Sequence, residues 1–217
     1  MFGGVCMKRG RVGVIVLGAV VICSAGLSHA GPMAAGLKVG LNVATLQGDD
    51  VEESKGRVGI CLGGFSSVSL TKNFALQGEV LYTQKGSYDE EEFLGEILKT
   101  TIKIDYLEMP LLARFSFPTG GLTPSAYLGP AVAFEMGSSF EFELGGVTVE
   151  GDLTDVKDVD MGLVLGTSLG FGPGPIGFLV DFRYTAGLVS IDDTPGENQL
   201  DMKNSVATLS FGVSINP

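Results

Sequence analysis

Apolar residues recur at every second position along most of this chain, which is the period of a β-strand and not of a helix. The clearest run begins at Ile176 and continues through Phe178, Val180, Phe182, Tyr184, Ala186 and Leu188. Between them stand Gly177, Leu179, Asp181, Arg183, Thr185, Gly187 and Val189. One face is greasy and the other is mostly small or charged. The same reading places strands near 36–46 (Leu37, Val39, Leu41, Val43), 57–70 (Val58, Ile60, Leu62, Val68) and 74–86 (Phe74, Leu76, Val80, Tyr82). Further strands fall near 101–117 (Met109, Leu111, Ala113, Phe115, Phe117) and 125–140 (Leu128, Val132, Phe134, Met136). The last fall near 158–171 (Val159, Met161, Leu163, Leu165, Leu169, Phe171) and 204–215 (Ala207, Leu209, Phe211, Val213, Ile215). Within the 101–117 strand, Ile102, Ile104 and Tyr106 alternate in one phase and Leu107 onward in the other. Either a β-bulge near Tyr106 or a strand end projecting above the membrane accounts for that.

The connections alternate in length. Short ones lie at 71–73, about 118–124 and 172–175, and long ones at about 47–56, 87–100, 141–157 and 190–203. In an up-and-down barrel this gathers the long loops at one end and the tight turns at the other, as in outer-membrane barrels. An even strand count leaves both termini on the periplasmic side. The expected fold is therefore an all-β, eight-stranded antiparallel up-and-down transmembrane barrel. No apolar stretch is long enough for a spanning helix, which needs about 20 residues.

A soluble lipocalin-like barrel binding an apolar ligand would also alternate. Its polar face would be dense in Lys and Glu. Here that face is Gly59, Gly63, Ser67 and Ser69 in one strand and Gly162, Gly166, Ser168 and Gly170 in another. Small residues suit the crowded interior of a narrow closed barrel. Phe74, Phe117, Phe171 and Phe178 sit beside the short turns, and Tyr82, Phe134 and Tyr184 lie toward the opposite strand ends. That distribution matches two aromatic girdles, and the chain has no Trp.

The N-terminus reads as an export signal over 1–30. Lys8, Arg9 and Arg11 precede the apolar run 12–22, and Ser28-His29-Ala30 gives a small-residue cleavage site before Gly31. A retained anchor is the alternative, and Met7 is an alternative start. Ile22 before Cys23 argues against a lipoprotein. On this reading residues 31–217 form the barrel domain. Cleavage removes three basic residues and no acid, so the mature chain is more acidic than the full chain's −11. That charge argues against nucleic acid as a partner. Cys6, Cys23 and His29 leave as well. Cys61 is then the one cysteine, no histidine remains, and neither an internal disulfide nor a structural zinc site is available.

Three phrases carry a family resemblance: Gly36-Leu-Lys-Val-Gly-Leu-Asn42, Tyr106-Leu-Glu-Met-Pro-Leu-Leu112 and Tyr127-Leu-Gly-Pro130. With the strand pattern they resemble the PorT-like outer-membrane β-barrel proteins over about 36–215. The resemblance implies an eight-stranded barrel in the outer membrane of a Gram-negative bacterium and does not imply an enzyme. One departure concerns the end: such barrels commonly finish on an aromatic residue, and this chain finishes Ile215-Asn216-Pro217.

The inward phase carries Lys38, Glu79, Lys85, Glu108, Arg114, Glu135, Asp160, Asp181 and Arg183. Eight strands leave room only for side chains, so these charges are expected to pair into a network that plugs the lumen. A narrow ion path or solute-transport barrel is the rival. The long connections are acidic: Asp49, Asp50, Glu52 and Glu53; Asp89 to Glu92 with Glu96; Glu150, Asp152, Asp155 and Asp158; Asp192 and Asp193. They read as solvated, self-repelling loops. Divalent cations bridging to lipopolysaccharide, or a basic protein partner, are the functional alternatives, although no calcium-loop spacing is present. Catalysis is not expected, because no Ser or Cys stands with a recognisable base. Cys61 reads as a small buried hydrophobe, and the glycine-rich runs lack the Lys-Ser/Thr of a phosphate loop. The sequence thus points to a non-enzymatic, monomeric barrel with no cofactor and no metal. Its expected partners are outer-membrane lipid, lipopolysaccharide and a protein docking on acidic loops.

Overall fold

The computed structural model describes residues 33–47, 55–93, 96–153, 156–172, 174–192 and 202–215. The export signal expected at 1–30, the cluster Asp49 to Glu53, and Asp155 and Asp193 lie outside the described residues. Nine strands follow in order: β1 (Met33–Gln47), β2 (Lys55–Ser69), β3 (Phe74–Phe93), β4 (Glu96–Ser116), β5 (Leu122–Leu144), β6 (Val147–Asp152), β7 (Val159–Phe171), β8 (Ile176–Gly187) and β9 (Lys203–Ile215). All pair antiparallel with their neighbours, and β1 pairs with both β2 and β9. With β4 on β5 and β5 on β7, eight strands close into a ring, and among the described residues β6 pairs only with β5.

Closure is staggered. One row of partners runs Met33, Val68, Leu76, Ala113, Leu128, Leu165, Tyr184, Ala207 and back to β1 at Val43. The walk returns ten residues farther along β1. For eight strands that stagger tilts them by about 40° from the barrel axis, at ordinary strand spacing and rise.

Alternation decides which side chains line each surface. Leu37, Val39, Leu41 and Val43 of β1 point outward, as do Leu163 and Leu165 of β7 and Leu209, Phe211 and Val213 of β9. This apolar belt runs around the ring and is exposed. Ring contacts border it near the short turns, where Phe74 lies 4.9 Å from Phe115 and Phe171 lies 5.9 Å from Phe178.

Two expectations need correction. A β-bulge does lie near Tyr106, but on the partner strand, and Ile102 and Ile104 stand toward the projecting end of β4. Ile104, Tyr106, Glu108 and Leu112 of β4 are all buried on one uninterrupted inner phase. The register instead slips where Asp105 pairs with Gly137 and Tyr106 with Glu135. Met136 of β5 is the extra residue, and beyond it the faces of β5 exchange.

The connections 87–100 and 141–157 are also not plain loops. β3 and β4 continue to Phe93 and Glu96, and 141–157 contains the end of β5 and all of β6. Gly145 and Gly146 join those two strands at φ 56° and 80°, the two positive values that a type I′ hairpin turn requires. The upper parts of β3, β4, β5 and β6 therefore form a four-stranded sheet standing off the long-connection end of the ring.

Candidate functional site

The inner wall gathers charge in two places. In the first, Glu79 of β3 faces Lys38 of β1 and Arg183 of β8. Lys38 Nζ donates to Glu79 Oε1 at 2.7 Å, Gln77 Nε2 donates to the same oxygen at 2.6 Å, and Arg183 Nη1 donates to Oε2 at 2.8 Å. Asp181 completes the group. It accepts from Arg183 Nε at 3.1 Å and from the Tyr127 hydroxyl at 2.6 Å, with Lys38 Nζ 3.9 Å away. Two carboxylates thus meet two cations. The Arg183 guanidinium also lies 5.5 Å from the Tyr127 ring centroid, within cation–π range.

In the second, Lys85 Nζ stands 2.8 Å from Glu108 and 3.4 Å from Asp160. Asn204 donates to Asp160 at 2.9 Å, and the Lys85 ammonium lies 4.9 Å from the centroid of the Tyr106 ring. Between the groups, Asn42 donates to Thr83 at 2.7 Å and accepts from Thr208 at 2.8 Å. Every charged head in both groups is buried, Glu79 and Asp181 to within 4% and 1% exposure. Above the second group, toward the long connections, Leu46, Ile104, Tyr106, Ala133 and Ile191 pack into an apolar layer flanked by Ile102, Val156 and Met202.

Of the nine inward charges expected to form a network, seven fall into these two groups. Among the described residues Arg114 pairs with no carboxylate and donates to Gln77, Ser125 and Ser168. Glu135 is half-buried and forms no ion pair among the described residues. The uncharged members Gln77, Asn42, Tyr127, Asn204 and Thr208 escaped a reading that looked for charge. All stand on the inward phase of their strands, so parity alone marks them. Gly166 has a packing role: a Cβ there would lie 2.4 Å from the Tyr127 ring, so its bare backbone admits the tyrosine that holds Asp181.

The projecting sheet is two-sided. One face carries Lys55 hydrogen-bonded to Glu90 at 2.6 Å and Lys103 paired with Glu141. The Lys55 ammonium holds the Glu90 carboxyl below its usual range, and Lys103 does the same for Glu141. The other face carries Ile102 opposite Phe140, Phe142 opposite Val149 and Leu144 opposite Val147. It continues the apolar layer of the lumen outward. The expected picture of solvated acidic loops changes accordingly. Asp89 to Glu92 and Glu150 with Asp152 stand on strands, and Asp192 is buried. No cluster of three or more His, Cys, Asp or Glu that would hold a metal occurs among the described residues. Cys61 is buried on the lumen side.

A closed ring with an uncovered apolar exterior and a polar, filled interior defines a transmembrane β-barrel. The chain belongs to the outer membrane protein beta-barrel domain family, whose model matches residues 26–193. It is a protein of the outer membrane. Among solved structures it is similar to Neisserial surface protein A, at 16% identity and TM-score 0.49, covering 85% of this chain and 97% of that one. Ail of Yersinia pestis, crystallised with the heparin analogue sucrose octasulfate, shares 16% identity at TM-score 0.44, covering 85% and 99%. The N-terminal barrel domain of Pseudomonas aeruginosa OprF shares 13% at TM-score 0.39, covering 86% and 100%. None of the curated proteins matches the chain.

Two outcomes follow from the lumen geometry. Glu79→Gln leaves Lys38 and Arg183 facing each other without their shared carboxylate. Urea unfolding in detergent, followed by circular dichroism, is expected to show a loss of about 3–5 kcal/mol, whereas Lys55→Ala at the exposed pair leaves the midpoint unchanged. Gly166→Ala forces the Tyr127 ring aside and is expected to cost about 1–3 kcal/mol in the same assay, and to cost nothing further when Tyr127→Ala has already removed the ring.

Proposed function

We propose that this protein is a non-enzymatic outer-membrane barrel whose lumen is plugged by its own ion pairs. On this reading it acts at its external end, in a structural or interaction role in the cell envelope or in secretion assembly. The observation that carries the reading is Glu79, held at once by Lys38, Arg183 and Gln77 in the middle of the ring. A permeating ion would have to displace groups that neutralise each other, and separating a buried pair costs several kcal/mol. The absence of histidine beyond residue 30 supports a role without general-base catalysis. Residues 1–30 act as the export signal, both ends of the barrel lie in the periplasm, and the protein works as a monomer. The Tyr106–Leu112 phrase supports kinship with the PorT-like members of the family. The acidic face of the projecting sheet suits a basic protein partner, and the belt contacts lipid and lipopolysaccharide.

Planar-bilayer recording tests the plug. The purified protein is expected to insert without discrete current steps, and Glu79→Gln with Arg183→Gln is expected to introduce flickering conductance. Steady steps from the unaltered protein would overturn the plugged lumen and favour the transport reading.

A further inference from the structure

Strand β6 is an edge. It pairs with β5 on one side, and among the described residues no strand lies against its other side. The two-residue Gly145-Gly146 turn makes Leu144 and Val147 the first hydrogen-bonded pair of the hairpin, and such pairs then alternate with non-bonded ones. The amides of Val147, Val149 and Gly151 are therefore turned toward β5. Those of Thr148, Glu150 and Asp152 are turned toward the open side, a row of donors and acceptors spaced for another strand.

Natural sheets blunt such edges with Lys, Pro or a bulge. β6 has no Lys, Pro or bulge; the charges it carries, Glu150 and Asp152, are both acidic, and its ladder with β5 is unbroken. Its side chains divide cleanly between the faces. Val147 and Val149 lie beside Leu144 and Phe142 on the apolar face, and both valines are more than half exposed. Thr148, Glu150 and Asp152 lie beside Glu143, Glu141 and Ser139 on the other. That second face carries four carboxylates near the edge, with Lys103 paired to Glu141 and Lys99 opposite Glu143 one strand farther in.

We propose that the open edge of β6 is a docking strand for an extended segment of a partner protein in which basic and apolar residues alternate. The proposal rests on the interaction reading above and names its partner chemistry. Main-chain hydrogen bonds to Thr148, Glu150 and Asp152 supply the pairing, as in other β-strand additions. Alternate residues of the incoming strand then fall on opposite faces. Apolar ones extend the surface of Phe142, Val147 and Val149, and basic ones meet Glu141, Glu143, Glu150 and Asp152. A second copy of this chain fits poorly, because edge-to-edge pairing would set these carboxylates against their own equivalents. An anionic lipid headgroup fits poorly for the same reason.

The test uses the full protein in lipid nanodiscs and a short capped, fluorescent peptide of alternating lysine and valine. Fluorescence anisotropy is expected to give saturable binding, while a peptide of alternating glutamate and valine does not bind. Thr148→Pro removes an open-edge amide without touching the ladder to β5 or any charge, and is expected to weaken binding by about tenfold. Glu150→Gln is expected to weaken it while lowering its salt dependence. Hydrogen exchange at Thr148 and Glu150 is expected to slow on saturation. Four results would overturn the proposal: no binding, equal binding by Thr148→Pro, equal binding of the acidic peptide, or sedimentation showing that the edge is taken by a second copy. Conductance of the same preparation separates the two ideas. A silent bilayer with no peptide binding sinks the docking strand alone, whereas steady current sinks the plugged barrel whatever the peptide does.

Discussion

In a lipid interior no water is at hand to satisfy a backbone amide, so each one needs a partner from the chain itself. For a sheet that requirement means closure, and the pairing of β1 with β9 supplies it. Much else follows from this seam. Eight strands with a stagger of ten residues form a narrow ring whose interior side chains can fill. The belt of Leu, Val and Phe outside and the small or charged residues inside are the two faces that a period of two must produce. Beyond the bilayer, water can satisfy an amide, and there the constraint lapses. It is at that end that β6 stands with no strand on its other side among the described residues.

The same narrowness governs the lumen. A charge placed there has lost its hydration and must recover it from neighbours. Glu79 and Asp181 obtain it from Lys38, Arg183 and Tyr127, groups delivered by β1, β8 and β5. Strands far apart in sequence are thereby tied across the interior, independently of the ladder. Glycine enters the same account as absent volume. Gly166 admits Tyr127, and Gly36, whose Cβ would lie 2.6 Å from Phe65, admits that ring. The polar network and the glycines are two parts of one packing solution.

Most of the ring was legible because alternation needs only a single face in contact with lipid. The eight wall strands fall close to where the apolar runs stand, and the inward phase was assigned from the same runs. Where the lipid ends, so does the enforcement. Above Met136 the faces of β5 exchange, and Phe140 and Phe142 turn inward, out of step with Phe134. In the sequence the exchange shows on the strand of Tyr106, because Ile102 and Ile104 are apolar on an inner phase that elsewhere is polar. They are apolar because they pack with Leu46, Ala133 and Ile191 into one apolar layer. The hairpin to β6 has its own signal, since Phe140-Glu-Phe-Glu-Leu144 and Val147-Thr-Val149 alternate around a Gly-Gly pair. The acidic residues within it suggested a solvated loop. Which inward charges meet which was beyond the sequence, since parity gives the side of a strand and only the stagger of the ring brings Arg183 level with Glu79.

Closure of the ring in the outer membrane is the claim on which the rest stands. Membrane fractionation, followed by electrophoresis with and without boiling, tests it most directly. The account predicts that the protein pellets with outer membranes and that boiling changes its mobility, as the compact barrel opens. Recovery in the soluble periplasmic fraction without detergent, with no change on boiling, would contradict it and would mean that the inner and outer faces have been assigned the wrong way round.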